Sequence, residues 1–355
     1  MVLTLMAVIW GIGWAFALPG GLRLIGIGGL WLAVVLAHLT LPEGSALRAQ
    51  LGGTAGGWAV LGGLAALVLI YRAGLARLRA RVAQGGAVPV GVVPAAVPEA
   101  GPFLQAELDR YARHFLLHDI GGPGQMALKS ARILVVGAGG LGSPALLYLA
   151  AAGVGTIGVI DDDRVDISNL QRQIIHSDAR IGMAKVLSAE IAMRALNPFV
   201  QVRPYPRRLE AGMGDILADY DLVLDGSDNF DTRYLVNRWC VEQGKPLISG
   251  AITQWEGQIS VFDTARGGPC YECVFPERPL PGMVPTCAEA GVAAPLPGVI
   301  GAMMAMEAVK LICRAGEGLR GRLMIHDALY GETRVIGVKR RPDCGCCGSG
   351  APGHG

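Results

Sequence analysis

Apolar and polar positions divide this chain into two unlike parts. Over the first 82 residues apolar positions run together instead of recurring at a period. Val2–Leu18 carries no charge, and Leu24–Leu41 carries none apart from a proton that His38 can take. Leu51–Tyr71 is a third run, rich in Gly, Ala, Leu and Val. Crossing ~30 Å of hydrocarbon takes about 17–25 residues, the length of each run. A soluble helical bundle would show polar stripes at helical spacing, and these runs show none. A signal peptide would open on a basic segment, which is missing before Val2. The pattern predicts an N-terminal transmembrane helical region of about three helices, with two as the alternative. Its many glycines suit close helix packing in lipid.

Residues 83–102, AQGGAVPVGVVPAAVPEAGP, hold four prolines and almost no charge. Such a composition predicts a semi-rigid extended linker. From residue 103 the pattern changes to short apolar runs alternating with helical periodicity. It predicts a helix over 103–118 and strands over 132–136, 156–160, 200–205, 221–225 and 246–249. A further strand over 257–262 alternates in polarity, and helices are expected over 143–152, 182–196 and 230–243. Strands alternating with helices predict an α/β, doubly wound, Rossmann-like domain with a mostly parallel sheet. The run PLPGVIGAMMAMEAVKLI, 295–312, is apolar enough to imitate a membrane span, but Glu307 and Lys310 near its end predict a buried core helix. The expected organisation is a membrane region over 1–82, a linker over 83–102 and a catalytic domain over 103–355.

Composition and charge sharpen this reading. The chain is 52% hydrophobic and only 17% charged, with a mean hydropathy of +0.41, in keeping with partial residence in a membrane. A net charge of +2 gives no general attraction to nucleic acid. Arg72, Arg77, Arg79 and Arg81 directly follow the third run and predict that what comes next is cytoplasmic. All eight cysteines lie at or beyond residue 240, which is not the layout of a small secreted disulfide framework.

The candidate chemistry lies in three places. Gly137, Gly139 and Gly142 form G-x-G-x-x-G between a strand and a helix, where backbone N–H groups can meet phosphate. Asp161 ends the next strand, where an acid bonds ribose hydroxyls. Asn169, Arg172, Gln173 and Lys185 follow, and two cations with two amides suit a triphosphate better than a nicotinamide. In LVLDGSDNFDTR, 222–233, Asp228 is a candidate Mg²⁺ ligand, while the bland reading is a helix N-cap supplied by Asp228 or Asn229. Two C-x-x-C hooks, Cys270/Cys273 and Cys344/Cys347, predict a four-thiolate Zn²⁺ site, with Cys346 as a competing ligand.

Taken in order, RYARHFLLHDIG, GAGGLGSP, DDDRVDISNLQRQ, GMAK, DGSDNFDTR, CYEC, TCAEAGV and DCGCC resemble the MoeB/ThiF/HesA family of ubiquitin-activating-enzyme-like adenylyltransferases. The likeness covers about 103–347 and runs most strongly to its molybdopterin-synthase adenylyltransferase branch. It implies ATP-dependent adenylation of the C-terminal glycine carboxylate of a small β-grasp sulfur carrier, of MoaD or ThiS type. That activity serves molybdenum cofactor or thiamine biosynthesis, with sulfur from a donor such as a cysteine desulfurase. It implies that Asp161 bonds the ribose, that Ser168, Asn169, Arg172 and Gln173 line the phosphates with Lys185 behind them, and that Asp228 holds Mg²⁺. It implies a homodimer in which Arg113 is lent by the other protomer. Cys287 matches a cysteine that accepts acyl or sulfur in some members and is dispensable in others. Ala112, where the family often has Asn, and the membrane spans depart from the usual pattern. The competing readings are activation of a carboxylate on modified tRNA, a nicotinamide dehydrogenase, and a membrane scaffold with an inactive nucleotide fold. The paired thiol hooks and the weak basic charge count against the first. Arg172, Lys185 and Asp228 together count against the second, and the intact site residues against the third.

Overall fold

The computed structural model describes residues 2–16, 18–85, 102–279 and 290–348. The chain forms two compact units, Met1–Val97 and Pro98–Gly355. In the first, α1 (Val2–Ala15), α2 (Gly20–Thr40), the short α3 (Ala46–Leu51) and α4 (Ala55–Gly85) follow one another. Helices α1 and α4 both pack on α2. The α2–α4 contact is close because Gly62 has no side chain: a Cβ there would stand 2.3 Å from the Trp31 ring. Trp31 Nε1 donates to the Trp58 carbonyl at 2.8 Å across the same contact. Most large apolar side chains of this unit face outward, Ile25, Leu39 and Ile70 among them.

Among the described residues, α1 is the shortest of the three apolar helices of this unit. Its 14 residues rise about 21 Å, short of the ~30 Å hydrocarbon core. Gly21–Thr40 and Ala55–Leu75 are long and apolar enough to cross a membrane. Leu296–Cys313 also meets that criterion of length and composition, but it belongs to the second unit's core.

The second unit opens with α5 (Gln105–Arg110), α6 (Ala112–Phe115) and α7 (Gly121–Ser130) instead of one helix over 103–118. Tyr111 causes the break. Its backbone leaves helical geometry at φ −98°, ψ 12°, and its buried hydroxyl accepts a hydrogen bond from Asn197 Nδ2 at 2.8 Å. Helix α7 begins GGPG, which reads locally as a turn, but a proline in a helix's first turn breaks no hydrogen bond.

Among the described residues, eight strands form one sheet: β1 (Arg132–Val136), β2 (Thr156–Ile160), β3 (Gln201–Tyr205), β4 (Leu222–Asp225), β5 (Leu247–Ile252), β6 (Glu256–Phe262), β7 (Arg322–Asp327) and β8 (Glu332–Gly337). Their order is β3-β2-β1-β4-β5-β6-β7-β8. The five from β3 to β5 are parallel, as expected, whereas β6, β7 and β8 continue the sheet antiparallel. Helices α8 (Gly142–Ala152), α9 (Lys185–Leu196) and α12 (Leu296–Cys313) share one core with Ile133, Val135, Ile157, Val159 and Leu224. Helix α10 (Phe230–Glu242) and the short α11 (Tyr271–Val274) cover the other face through Tyr234, Trp239 and Tyr271, against Leu134, Val136, Ile160 and Val223. Alternate strand residues thus feed opposite cores.

Glu307 explains how an apolar helix came to end in charge. The buried carboxylate pairs with Lys310 at 2.5 Å and accepts the Leu319 N–H at 2.7 Å, tying α12 to the chain before β7. Glu307→Ala leaves that N–H buried without a partner. We expect a loss of about 2–3 kcal/mol in denaturant unfolding. A change within about 0.5 kcal/mol, the range of an ordinary surface substitution, would show that the contact is incidental.

Candidate functional site

Strand order builds the site. Val136, the last residue of β1, stands level with Ile160 of β2 and with Asp225 of β4. The segments after all three strands therefore leave one edge of the sheet. Between β1 and β4 the connections run in opposite directions, which opens a crevice at the C-terminal strand ends. The turn from Gly137 to Gly142 fills its near wall. Gly137 has φ +92°, and a Cβ on Gly142 would lie 1.9 Å from the Gly137 carbonyl oxygen, so the turn closes only with glycine at both places.

The turn holds open donors. Among the described residues, the N–H groups of Gly139, Gly140, Leu141 and Gly142 donate to no protein atom. They stand where α8 begins, so partial positive charge points the same way. The Gln173 side chain lies beside the turn, its Nε2 at 3.5 Å from where a Gly139 Cβ would be. Its Oε1 is buried without a partner among the described residues. Unsatisfied N–H donors fit an anionic ligand such as the triphosphate of ATP, whereas the Gln173 oxygen, an acceptor, calls for a donor such as a hydroxyl or amino group.

The expected residues gather here with particular assignments. Asp161 accepts the Ala138 N–H at 2.7 Å and the Asp163 N–H at 2.8 Å, one on each oxygen. Burial raises its pKa, against the nearby Lys185. Lys185, itself buried, is held by Asp163 at 2.7 Å. Asn169 Oδ1 accepts from Arg172 Nη2 at 2.9 Å and from Gln173 Nε2 at 3.3 Å, so these three form one unit. The Ser168 hydroxyl donates to Asp166 at 2.6 Å. Asn229, not Asp228, caps α10 by accepting the Thr232 N–H at 2.9 Å. Asp228 is exposed and makes no hydrogen bond or ion pair with the described residues, which leaves its carboxylate fit to take a hydrated cation. Arg113 is exposed on α6 and bonds to none of these residues. Cys287 lies outside the described residues.

Two features were not anticipated. At the end of β4, fully buried Asp225 accepts from the Ser227 N–H at 3.0 Å and hydroxyl at 2.6 Å, and from the Ser249 hydroxyl at 3.1 Å. Its charge is matched by buried Arg233 at 3.5 Å, which also donates to Ser249 and to the Ser227 carbonyl. This network fixes the loop that carries Asp228. Both charged residues stand in LVLDGSDNFDTR, but only the strand's burial reveals the pair. The second is His176, buried between the turn and α9. Its Nε2 lies 2.9 Å from the Ala138 carbonyl and its Nδ1 2.8 Å from the Ser188 hydroxyl. Burial, with Lys185 and Arg180 adding to it and the Ala138 bond opposing, pushes its pKa down to about 4, so the ring is neutral near pH 7.

The thiols meet as the spacing predicted. Cys270, Cys273, Cys344 and Cys347 are buried, and their sulfurs lie within 4.8 Å of one another. Adjacent pairs are 3.9, 3.6 and 3.4 Å apart. A tetrahedral zinc with Zn–S near 2.3 Å spaces its sulfurs about 3.8 Å apart, so this donor set fits Zn²⁺. Cys346 stands outside the four, and its sulfur accepts from Asn237 Nδ2 at 3.3 Å.

Fold and site together define a Rossmann-like, nucleotide-binding protein with a cysteine clasp near its C-terminal end. The sequence profile of the ThiF family matches residues 111–346, and the chain belongs to that family of adenylyltransferases. It is 51% identical over 251 residues to a sulfur carrier protein adenylyltransferase of Thermus thermophilus, covering 69% of this chain and 93% of that one. It is 48% identical over 245 residues to a SAMP-activating enzyme E1 of Haloferax volcanii, covering 69% and 90%. Against the adenylyltransferase and sulfurtransferase MOCS3 of Bos taurus it is 43% identical over 274 residues, covering 77% of this chain and 60% of that one. The fold also matches a crystal structure of E. coli MccB at 24% identity and a TM-score of 0.60, over 68% of this chain and 75% of that one.

Metal content tests the clasp. The full chain is expected to carry about one zinc, and Cys347→Ser to lose it together with thermal stability, because structural zinc contributes folding free energy directly. Cys346→Ser is expected to keep it. Equal zinc in all three proteins, or none in well-folded wild type, would contradict the assignment.

Proposed function

We propose that this enzyme uses ATP to adenylate the C-terminal glycine carboxylate of a small β-grasp sulfur carrier of MoaD type, with a ThiS type as the alternative substrate. One observation carries the reading: unpartnered turn N–H groups, the Asn169–Arg172–Gln173 unit, Lys185 and the unbonded Asp228 all border one crevice. That constellation suits phosphoryl displacement. The named activities of the relatives support the carrier as substrate. So does the far end of the sheet, where every residue of β8 is exposed and Leu329, Tyr330, Val335 and Ile336 present apolar side chains to solvent.

In the reaction a carboxylate oxygen attacks the α-phosphorus, and the bond from that phosphorus to the bridging oxygen breaks as pyrophosphate leaves. Like charge opposes the approach. Arg172 and Lys185 offset it, and the turn N–H groups bind phosphate oxygens without having to reorganise. Mg²⁺, when bound at Asp228, supplies further positive charge against the phosphates. No protein nucleophile is needed. The acyl-adenylate is then open to sulfur from a donor such as a cysteine desulfurase, for molybdenum cofactor or thiamine synthesis. We assign Arg113 to the partner protomer's site in a homodimer. Its exposure and lack of bonds to its own chain's site support this, as do exposed Leu187 and Ile191, one turn apart on α9.

The enzyme is further proposed to sit in a membrane through α2 and α4, with its catalytic unit cytoplasmic. Their outward apolar side chains and mean hydropathies of 1.9 and 1.7 over the candidate spans support this, with Arg72, Arg77, Arg79 and Arg81 following the second.

ATP–pyrophosphate exchange with purified carriers is the test. Asp228→Ala should lower the rate by about 10²–10³, the scale for removing one electrostatic stabiliser, and leave carrier binding intact. Arg113→Ala should also fail, and mixing the two variants should restore activity, because one site of the mixed dimer regains both residues. Cys287→Ala should still support exchange. Loss with Cys287→Ala but not Asp228→Ala would reverse the proposed order of chemistry. For topology, a reporter at residue 90 should read cytoplasmic and the protein should resist carbonate extraction. Release into the soluble fraction would refute the spans.

A further inference from the structure

His176 belongs to none of the roles above, yet it is tied to the turn at a decisive atom. The Ala138 carbonyl oxygen can only accept, so the ring nitrogen 2.9 Å away, Nε2, carries the proton. Nδ1 of the neutral ring then accepts from the Ser188 hydroxyl at 2.8 Å. Ser188 stands three residues beyond Lys185 on α9, so one imidazole joins the turn to the helix that carries the lysine. The other end of Ala138 is also held, its N–H by Asp161.

The consequence lies in the next peptide plane. The Ala138 carbonyl and the Gly139 N–H belong to one planar trans peptide, in which they point in opposite directions. Glycine resists rotation of that plane weakly, since it tolerates most backbone angles. Holding the carbonyl toward His176 therefore turns the Gly139 N–H away from the protein interior, and that N–H has no partner among the described residues. We propose that His176 is a positioning residue that aims the Gly139 N–H at the phosphates of ATP by pinning the opposite end of the same peptide, with Ser188 keeping the proton on Nε2. This inference rests on the reading of the crevice as the ATP site.

The test compares equilibrium binding of ATP and adenosine by the full-length enzyme. Adenosine lacks the phosphates that the aimed N–H would meet. His176→Phe keeps a planar ring without a donor and should reduce the preference for ATP over adenosine about tenfold, the effect of losing roughly one hydrogen bond. His176→Gln places an amide donor near the Nε2 position and should recover most of it. Adenosine affinity should be unchanged throughout, which a merely structural role would not spare. Ser188→Ala should give a smaller fall in the same direction, and it decides the matter if His176→Phe fails to fold. The proposal is overturned if either variant keeps the wild-type preference, or if the Gln and Phe variants fall alike. Wild-type enzyme that binds adenosine as tightly as ATP would instead overturn the reading of the site.

Discussion

The crevice at the C-terminal strand ends depends on β1 lying between β2 and β4. That arrangement brings the glycine turn, Asp161 and the Asp225–Asp228 loop to one sheet edge although they are far apart in sequence. The contact that secures it is made of backbone. A Cβ on Gly137 would lie 3.1 Å from the Gly226 carbonyl oxygen, and one on Gly142 would strike Gly137 itself. Side chains are excluded from the centre of the site, and that exclusion leaves room for phosphate. In the proposed reaction the turn supplies dipoles and its neighbours supply charge.

Around this bare centre, buried polar groups act as struts. The Asp225–Arg233 pair with Ser227 and Ser249 holds one wall, and His176 with Ser188 and Asp161 holds the other. A buried ion pair contributes little net stability, because desolvation offsets its attraction. Its value here is geometric. Arg233 stands on α10 four residues after its cap, so its contacts tie the strand end and the Asp228 loop to the helix. Asn237, one turn further along α10, accepts the Tyr271 N–H at 2.8 Å and so reaches the segment of the first thiol hook. A continuous series of contacts thus links the crevice to the cysteine clasp.

Much of this was legible in the sequence because its signals are local. The strand–glycine–helix punctuation located β1, the turn and α8 to within a residue, and the C-x-x-C spacings found the clasp. Glu307 and Lys310 separated a core helix from a membrane span. What escaped depends on tertiary contacts. Strands β7 and β8 lack the apolar density of the parallel strands, since β8 buries neither face. The break at Tyr111 comes from a hydroxyl reaching Asn197, 86 residues away. His176 looked like one of six scattered histidines until the fold set it against Ala138.

The most direct measurement of the central claim is the intact mass of a carrier after incubation with ATP and the full-length enzyme, quenched before sulfur is supplied. The account predicts a carrier heavier by one adenylate group, present only when the C-terminal glycine is intact, with pyrophosphate as co-product. An unmodified carrier alongside an adenylated enzyme, or a carrier modified without its terminal glycine, would contradict it.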